Sequence, residues 1–183
     1  MLFALMPSSY KKLSNEHLSS SENSMIREYK DSDFDELRRL FSLLQDYERD
    51  IEPLRLPADQ MVDAYMAELF KQMEKYQGKI YLSVIHEGTE EQVTGYISLY
   101  GRQEFDDDLN HPAWIGYVTD LIVVPEHRKS GAAQELMKAA EDYARSCGAI
   151  ALTLNVLGDN KPARRFYEKS GFKDYQLRLR KDL

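Results

Sequence analysis

The sequence predicts an α/β domain with a mixed, largely antiparallel central sheet and flanking helices. Three observations carry this. Residues 32–76 place apolar side chains at helical spacing, and residues 80–100 switch to period two with β-branched residues. Residues 114–156 then read strand, helix, strand, long enough for a right-handed crossover between two parallel strands.

Residues 1–24 are Ser-rich without hydrophobic period and read as a disordered leader, so a single domain is expected over 25–183. Residues 25–29 form a short strand candidate. Ser32 and Asp35 give a start resembling a capping box, and Leu37, Leu40, Phe41, Leu44 and Tyr47 share one face of a helix over 32–49. Pro53 and Pro57 end it. A second helix over 58–76 turns Met61, Tyr65, Leu69 and Met73 to one side and stops at Gly78. Residues 80–86 and 93–100 read as antiparallel strands joined by a polar turn, and 114–124 as a third strand. The next helix, over 131–147, turns Leu136, Ala139, Ala140 and Tyr143 inward. Residues 149–156 are apolar enough for a parallel strand covered on both faces. A short helix over 163–170 follows Pro162 and is capped by Gly171, and residues 172–180 are expected to return as a final strand.

The whole chain excludes several functions. It has 183 residues and a formal charge of −7, without the basic face that nucleic acid requires. An acidic surface attracts cations such as amines. No apolar run approaches the roughly 20 residues of a membrane span. Cys147 is the only cysteine, which rules out an intramolecular disulfide and fits a reducing, cytoplasmic location. Its alanine neighbours suggest a packed helix end. The four histidines lack ligand spacing, so no metal is expected.

The most informative stretch is the junction over 123–133, where an apolar strand and Pro125 lead into Arg128-Lys129-Ser130-Gly131-Ala132-Ala133 and a helix. A Gly-containing turn opening onto a helix N-terminus presents unpaired N–H groups that favour an anion. From the residues alone it is either a pyrophosphate cradle or a surface turn with solvated charges. The spacing matches neither a Walker loop nor a dinucleotide fingerprint.

This turn resembles the acetyl-CoA signature of the GNAT superfamily of N-acetyltransferases, with Arg128, Gly131 and Ala133 in its three defined places. A second element, over 160–172, resembles that family's closing motif through Asn160, Ala163, Tyr167 and Gly171-Phe172. The resemblance implies a GNAT-like fold whose parallel strands splay apart to admit acetyl-CoA. It further implies that backbone groups of Leu121, Ile122 and Val123 pair with the pantetheine arm. The amides of Lys129, Ser130, Gly131, Ala132, Ala133 and Gln134 would cradle the pyrophosphate. Asn160 would bond the cofactor near its thiol, and Tyr167 would protonate the departing thiolate. A phenol, with pKa near about 10, suits that task; a core aromatic is the other reading of Tyr167.

Strict alternation puts Tyr117, Thr119, Leu121 and Val123 on one face and Asp120 on the other, unless a bulge re-aims it. The general base is then ordered water or Asp120. Two further acidic stretches, over 104–108 and 47–52, are candidates for the acceptor side, with solvated surface charge as the alternative. The resemblance implies direct acetyl transfer to a primary amine, and a homodimer. A non-catalytic acyl-CoA-binding or sensing module is the alternative function.

Overall fold

The computed structural model describes residues 3–4, 24–104 and 113–181. They form β1 (Phe3–Ala4), β2 (Met25–Glu28), α1 (Phe34–Ile51), α2 (Ala58–Lys75), β3 (Lys79–Glu87), β4 (Glu90–Glu104), β5 (Ala113–Val123), α3 (Ala132–Ser146), β6 (Ala151–Leu154) and α4 (Lys161–Lys169). One sheet runs β1-β5-β4-β3-β2, with β6 also against β5. The pairs β2/β3, β3/β4 and β4/β5 are antiparallel, and β5 is parallel to both β6 and β1. This is the mixed sheet expected from the change of periodicity.

Two apolar cores form on the two faces of the sheet. On one, α1 and α2 bury Leu37, Leu40, Phe41, Leu44, Val62, Met66 and Leu69 against Leu82, Val84, Tyr96, Ile122 and Val124. On the other, α3 and α4 bury Leu136, Ala140, Ala163 and Tyr167 against Ile97, Leu99, Val118, Leu121 and Val123. Each fully buried aliphatic side chain contributes about 1.5–3 kcal/mol. Gly116 lets α3 approach β5 and β6 closely, since a Cβ there would lie 2.5 Å from Leu152 Cδ2 and 3.1 Å from Ala144 Cβ.

Several expectations need correction. Asp33, rather than Ser32, stands before α1. Its carboxylate accepts from the Lys30 N–H at 2.8 Å and from the Arg27 guanidinium at 2.7 and 2.8 Å. The buried stripe of α2 is Val62, Met66, Leu69 and Met73, which leaves Met61 and Tyr65 at its margin. On α3, Ala139 and Tyr143 are half-buried, while Met137 and Ala144 join the core. Cys147 is exposed rather than packed.

Residues 172–180 pair with no strand among the described residues. Tyr175, Leu177 and Leu179 are 70%, 72% and 90% exposed, and the ion pairs Arg164–Asp174 and Arg180–Glu52 tie the segment down. Period-two composition fits an exposed extended segment as well as a strand. The expected disordered leader meets an exception at Phe3–Ala4, which is β1; residues 5–23 lie outside the described residues. So does the acidic stretch after residue 104.

Candidate active site

The site is assembled where β5 loses one parallel neighbour. Pairing with β6 runs from Ile115↔Ala151 to Val118↔Leu154 and stops there. Beyond it β5 continues to Val123 without β6, so these two parallel strands part at Val118. Phe3 and Ala4 of β1 pair with Leu121 and Ile122 in this second half. The backbone edge expected to meet a pantetheine arm is therefore the edge that β1 takes.

A β-bulge lies at the same level. Leu99 faces Val118 and Ser98 faces Asp120, which leaves Thr119 as the extra residue. A bulge reverses the alternation that follows it. Leu121 and Val123 consequently pack on the α3/α4 face, not beside Tyr117 and Thr119 as strict alternation implies. Asp120 and Ile122 turn instead toward α1 and α2.

Asp120 is fully buried, and its Oδ2 accepts from Tyr65 Oη at 2.5 Å and from Ser98 Oγ at 2.8 Å. Thr119 Oγ1 lies 2.6 Å from Ser98 Oγ. Because the Ser98 proton is directed at Asp120, Thr119 is the donor of that pair, and its one proton also lies within reach of Ser98 O at 3.2 Å. The result is a one-way hydroxyl chain, Thr119 to Ser98 to Asp120. Oδ1 is buried without a partner. Burial pushes the Asp120 carboxyl above its ordinary value, opposed by the bonds from Tyr65 and Ser98.

A second buried carboxylate comes from α1. Glu48 is 1% exposed, pairs with Arg55 at 2.5 Å through Oε2, and leaves Oε1 without a partner. Burial pushes it up to about 8, against the pull of Arg55. Surface charge therefore does not describe this part of 47–52. Its neighbour Tyr47 reaches Asn160 Oδ1 at 3.4 Å.

The turn after β5 has two left-handed residues, Lys129 at φ +66° and Gly131 at φ +99°. Such alternation turns successive N–H groups into one concavity. Among the described residues, the amides of Lys129, Ser130, Gly131 and Ala133 meet no backbone carbonyl, at the positive end of α3. A Cβ built on Gly131 would meet nothing within 4 Å, so its open side faces space rather than protein. Arg128 Nε donates to Val123 O at 3.1 Å, which ties the turn to the end of β5. Gln134 is exposed, and its amide is spent on Gly131 O at 2.9 Å.

On α4, the Asn160 side chain accepts from Ala163 N at 3.3 Å, so it caps the helix. Tyr167 is 4% exposed and lies in one apolar cluster with Leu121, Val123 and Ala132. The rings of Phe166 and Phe172 meet it edge-on, at 5.5 and 5.6 Å. Burial, then the charges of Glu48 and Asp120, push its phenol well above 10.

The Asp120 partners Tyr65 and Ser98 carry no functional signal in the sequence. Tyr65 reads there as one more apolar position of α2. Ser98 reads as a small residue in an apolar strand, as does the buried pair Ser83 and Thr94, which bonds only within the sheet.

The acetyltransferase (GNAT) family model matches residues 35–172. The chain belongs to this family. It is 35% identical over 92 residues to the aminoalkylphosphonate N-acetyltransferase of Salmonella typhimurium, covering 50% of this chain and 57% of that protein. It is 28% identical over 155 residues to the thialysine N-epsilon-acetyltransferase of Bos taurus, covering 82% and 84%. The solved glucosamine-6-phosphate N-acetyltransferase of Arabidopsis thaliana shares the fold, with TM-score 0.60, 20% identity, and coverage of 88% and 99%. The chain spans about half the length of the first curated relatives it matches, 57%, 38% and 56% of three of them. Among its described residues no helix is long and apolar enough to cross a membrane.

Proposed function

We propose that this GNAT chain transfers the acetyl group of acetyl-CoA to a primary amine by direct attack in a ternary complex. The observation that carries this reading is the bulge at Thr119. It brings a buried carboxylate and its hydroxyl chain to the level where β5 and β6 part. The concave turn after β5 fits a pyrophosphate, because its amides converge and Gly131 leaves that side open. Acetyl-CoA supplies an activated thioester carbonyl.

The chain's own groups then handle the protons. An amine arrives as an ammonium and must lose a proton before its lone pair can attack. Thr119 Oγ1 accepts that proton as its own passes through Ser98 to Asp120. The amine nitrogen bonds to the carbonyl carbon, the C–S bond breaks, the Tyr167 phenol supplies the proton that completes the thiol, and the second proton lost by the nitrogen restores the phenol. Burial keeps the phenol protonated until the thiolate forms beside it. Asn160 supports the site by fixing the start of α4, about two helix turns before Tyr167. Mass-spectrometric detection of acetylated amine and CoA, formed together from acetyl-CoA and an amine panel, tests the reaction; CoA without acetylated amine would overturn direct transfer.

Two variants test the cofactor slot. Gly131→Val is expected to weaken acetyl-CoA binding at least tenfold by placing bulk where phosphate approaches the backbone. Gly131→Ala serves as its control, since it shares the strain of φ +99° but adds less volume. Equal affinities for wild type and the folded valine variant would remove the cradle.

Deleting residues 1–23 removes β1 from the Leu121–Ile122 edge. If that ladder contributes about 1 kcal/mol, acetyl-CoA should bind about fivefold more tightly. Calorimetric titration reads this directly, and unchanged or weaker affinity would show that β1 does not compete.

A further inference from the structure

A cavity of about 300 Å³ lies between α2 and the strands β4 and β5. It is lined by Tyr65, Glu68, Leu69 and Gln72 of α2, by Tyr100 of β4, and by Tyr117 and Thr119 of β5. The rings are braced from outside. Tyr65 stacks on Phe41 at 3.9 Å, Tyr100 stacks on Tyr76 at 5.4 Å, and Tyr117 Oη accepts from Asn155 Nδ2 at 2.9 Å. Glu68 is held by a hydrogen bond from Gln72, which keeps its carboxyl below the ordinary value. Lys71 lies 3.6 Å from its other oxygen. No lysine or arginine lines the cavity among the described residues.

Three tyrosines around one small cavity favour a cation. A carboxylate adds to this, and among the described residues no guanidinium or ammonium lines the cavity to form an ion pair with a phosphate or carboxylate on the ligand. Thr119 joins this cavity to the hydroxyl chain that ends on Asp120. Tyr65 and Glu68 are three residues apart on α2, so they are neighbours on one helix face, roughly 5–6 Å apart between Cβ atoms.

We infer that this cavity receives the acceptor as a short aliphatic diamine, with one amine at Thr119 and the second, still cationic, between the tyrosine rings and Glu68. The inference rests on the acetyl-transfer reading of the same site. It departs from the anionic acceptors named for the aminoalkylphosphonate and glucosamine-6-phosphate enzymes.

The test titrates the full chain calorimetrically with 1,4-diaminobutane and with 2-aminoethylphosphonate, with and without CoA. The diamine is expected to bind at least tenfold more tightly than the phosphonate. Glu68→Gln, at an exposed position where folding is not at stake, should weaken diamine binding several-fold, as should Tyr117→Leu. Melting temperatures of the variants confirm that they are folded. Equal affinity for the two amines, or a diamine Kd unchanged in both variants, would overturn the inference. CoA binding without diamine binding also sinks the cavity proposal and leaves acetyl transfer standing. Diamine binding without CoA binding does the reverse.

Discussion

Tyr167→Phe is expected to lower kcat by roughly 10²–10⁴, the range for loss of a positioned acid. The substitution deletes one hydroxyl and keeps the ring. The edge-on contacts with Phe166 and Phe172, and the packing beside Leu121 and Ala132, therefore survive. Acetyl-CoA affinity should change little, because the amides of the turn at 129–133 are untouched. A purely structural hydroxyl predicts something else, a stability loss of about 1 kcal/mol with near-normal turnover. Measuring kcat, cofactor Kd and melting temperature on one preparation separates the two. Near-wild-type kcat with a good acceptor would remove Tyr167 as the acid and leave the fold and cofactor slot untouched.

Asp120→Asn should cost a comparable factor in kcat/KM, with a distinct pH signature. The amide oxygen can still accept from Tyr65 and Ser98, so the hydroxyl chain keeps its anchor but loses its base. In wild type, kcat/KM should rise with pH through the raised pKa of Asp120, and the asparagine variant should lack that limb.

Stability moves the other way. Unfolded, this carboxyl titrates near about 3.9; folded, burial raises it. Between those values the native state holds a proton that the unfolded state has released. Wild-type stability therefore falls as pH rises through that window and levels off above it. Asparagine has no proton to lose, so the variant should gain stability relative to wild type from acid toward neutral pH. A variant that keeps the limb and the turnover would show that water alone deprotonates the amine. Glu48, pushed up to about 8, adds a second falling term that extends to mildly alkaline pH and is common to both proteins.

Much of the molecule was legible because local rules act over short distances. The apolar stripe of α1 buries Leu37, Leu40, Phe41, Leu44 and Tyr47 as its spacing requires. Gly131 marks the start of α3, where a left-handed residue precedes Ala132. Asn160, Ala163 and Tyr167 fall on α4 at the spacing of the closing motif, with Asn160 at its N-cap. The parallel β5/β6 pair follows from the length of the crossover between them. These features depend on side-chain type and spacing alone, and both are written in the chain.

Three things needed the tertiary structure. Period two assigns faces only while register is unbroken, and the single extra residue at Thr119 moved Asp120 to the α1/α2 face and Leu121 to the other. Nothing in the local composition specifies that slip, which is set by how β4 and β5 pair. The carboxylate's partners, Tyr65 and Ser98, are 55 and 22 residues away in sequence. Their convergence is a property of packing α2 on the sheet. The unpaired segment over 172–180 shows the same limit from the other side. A strand requires a neighbour as well as a pattern, and the sequence carries the pattern only.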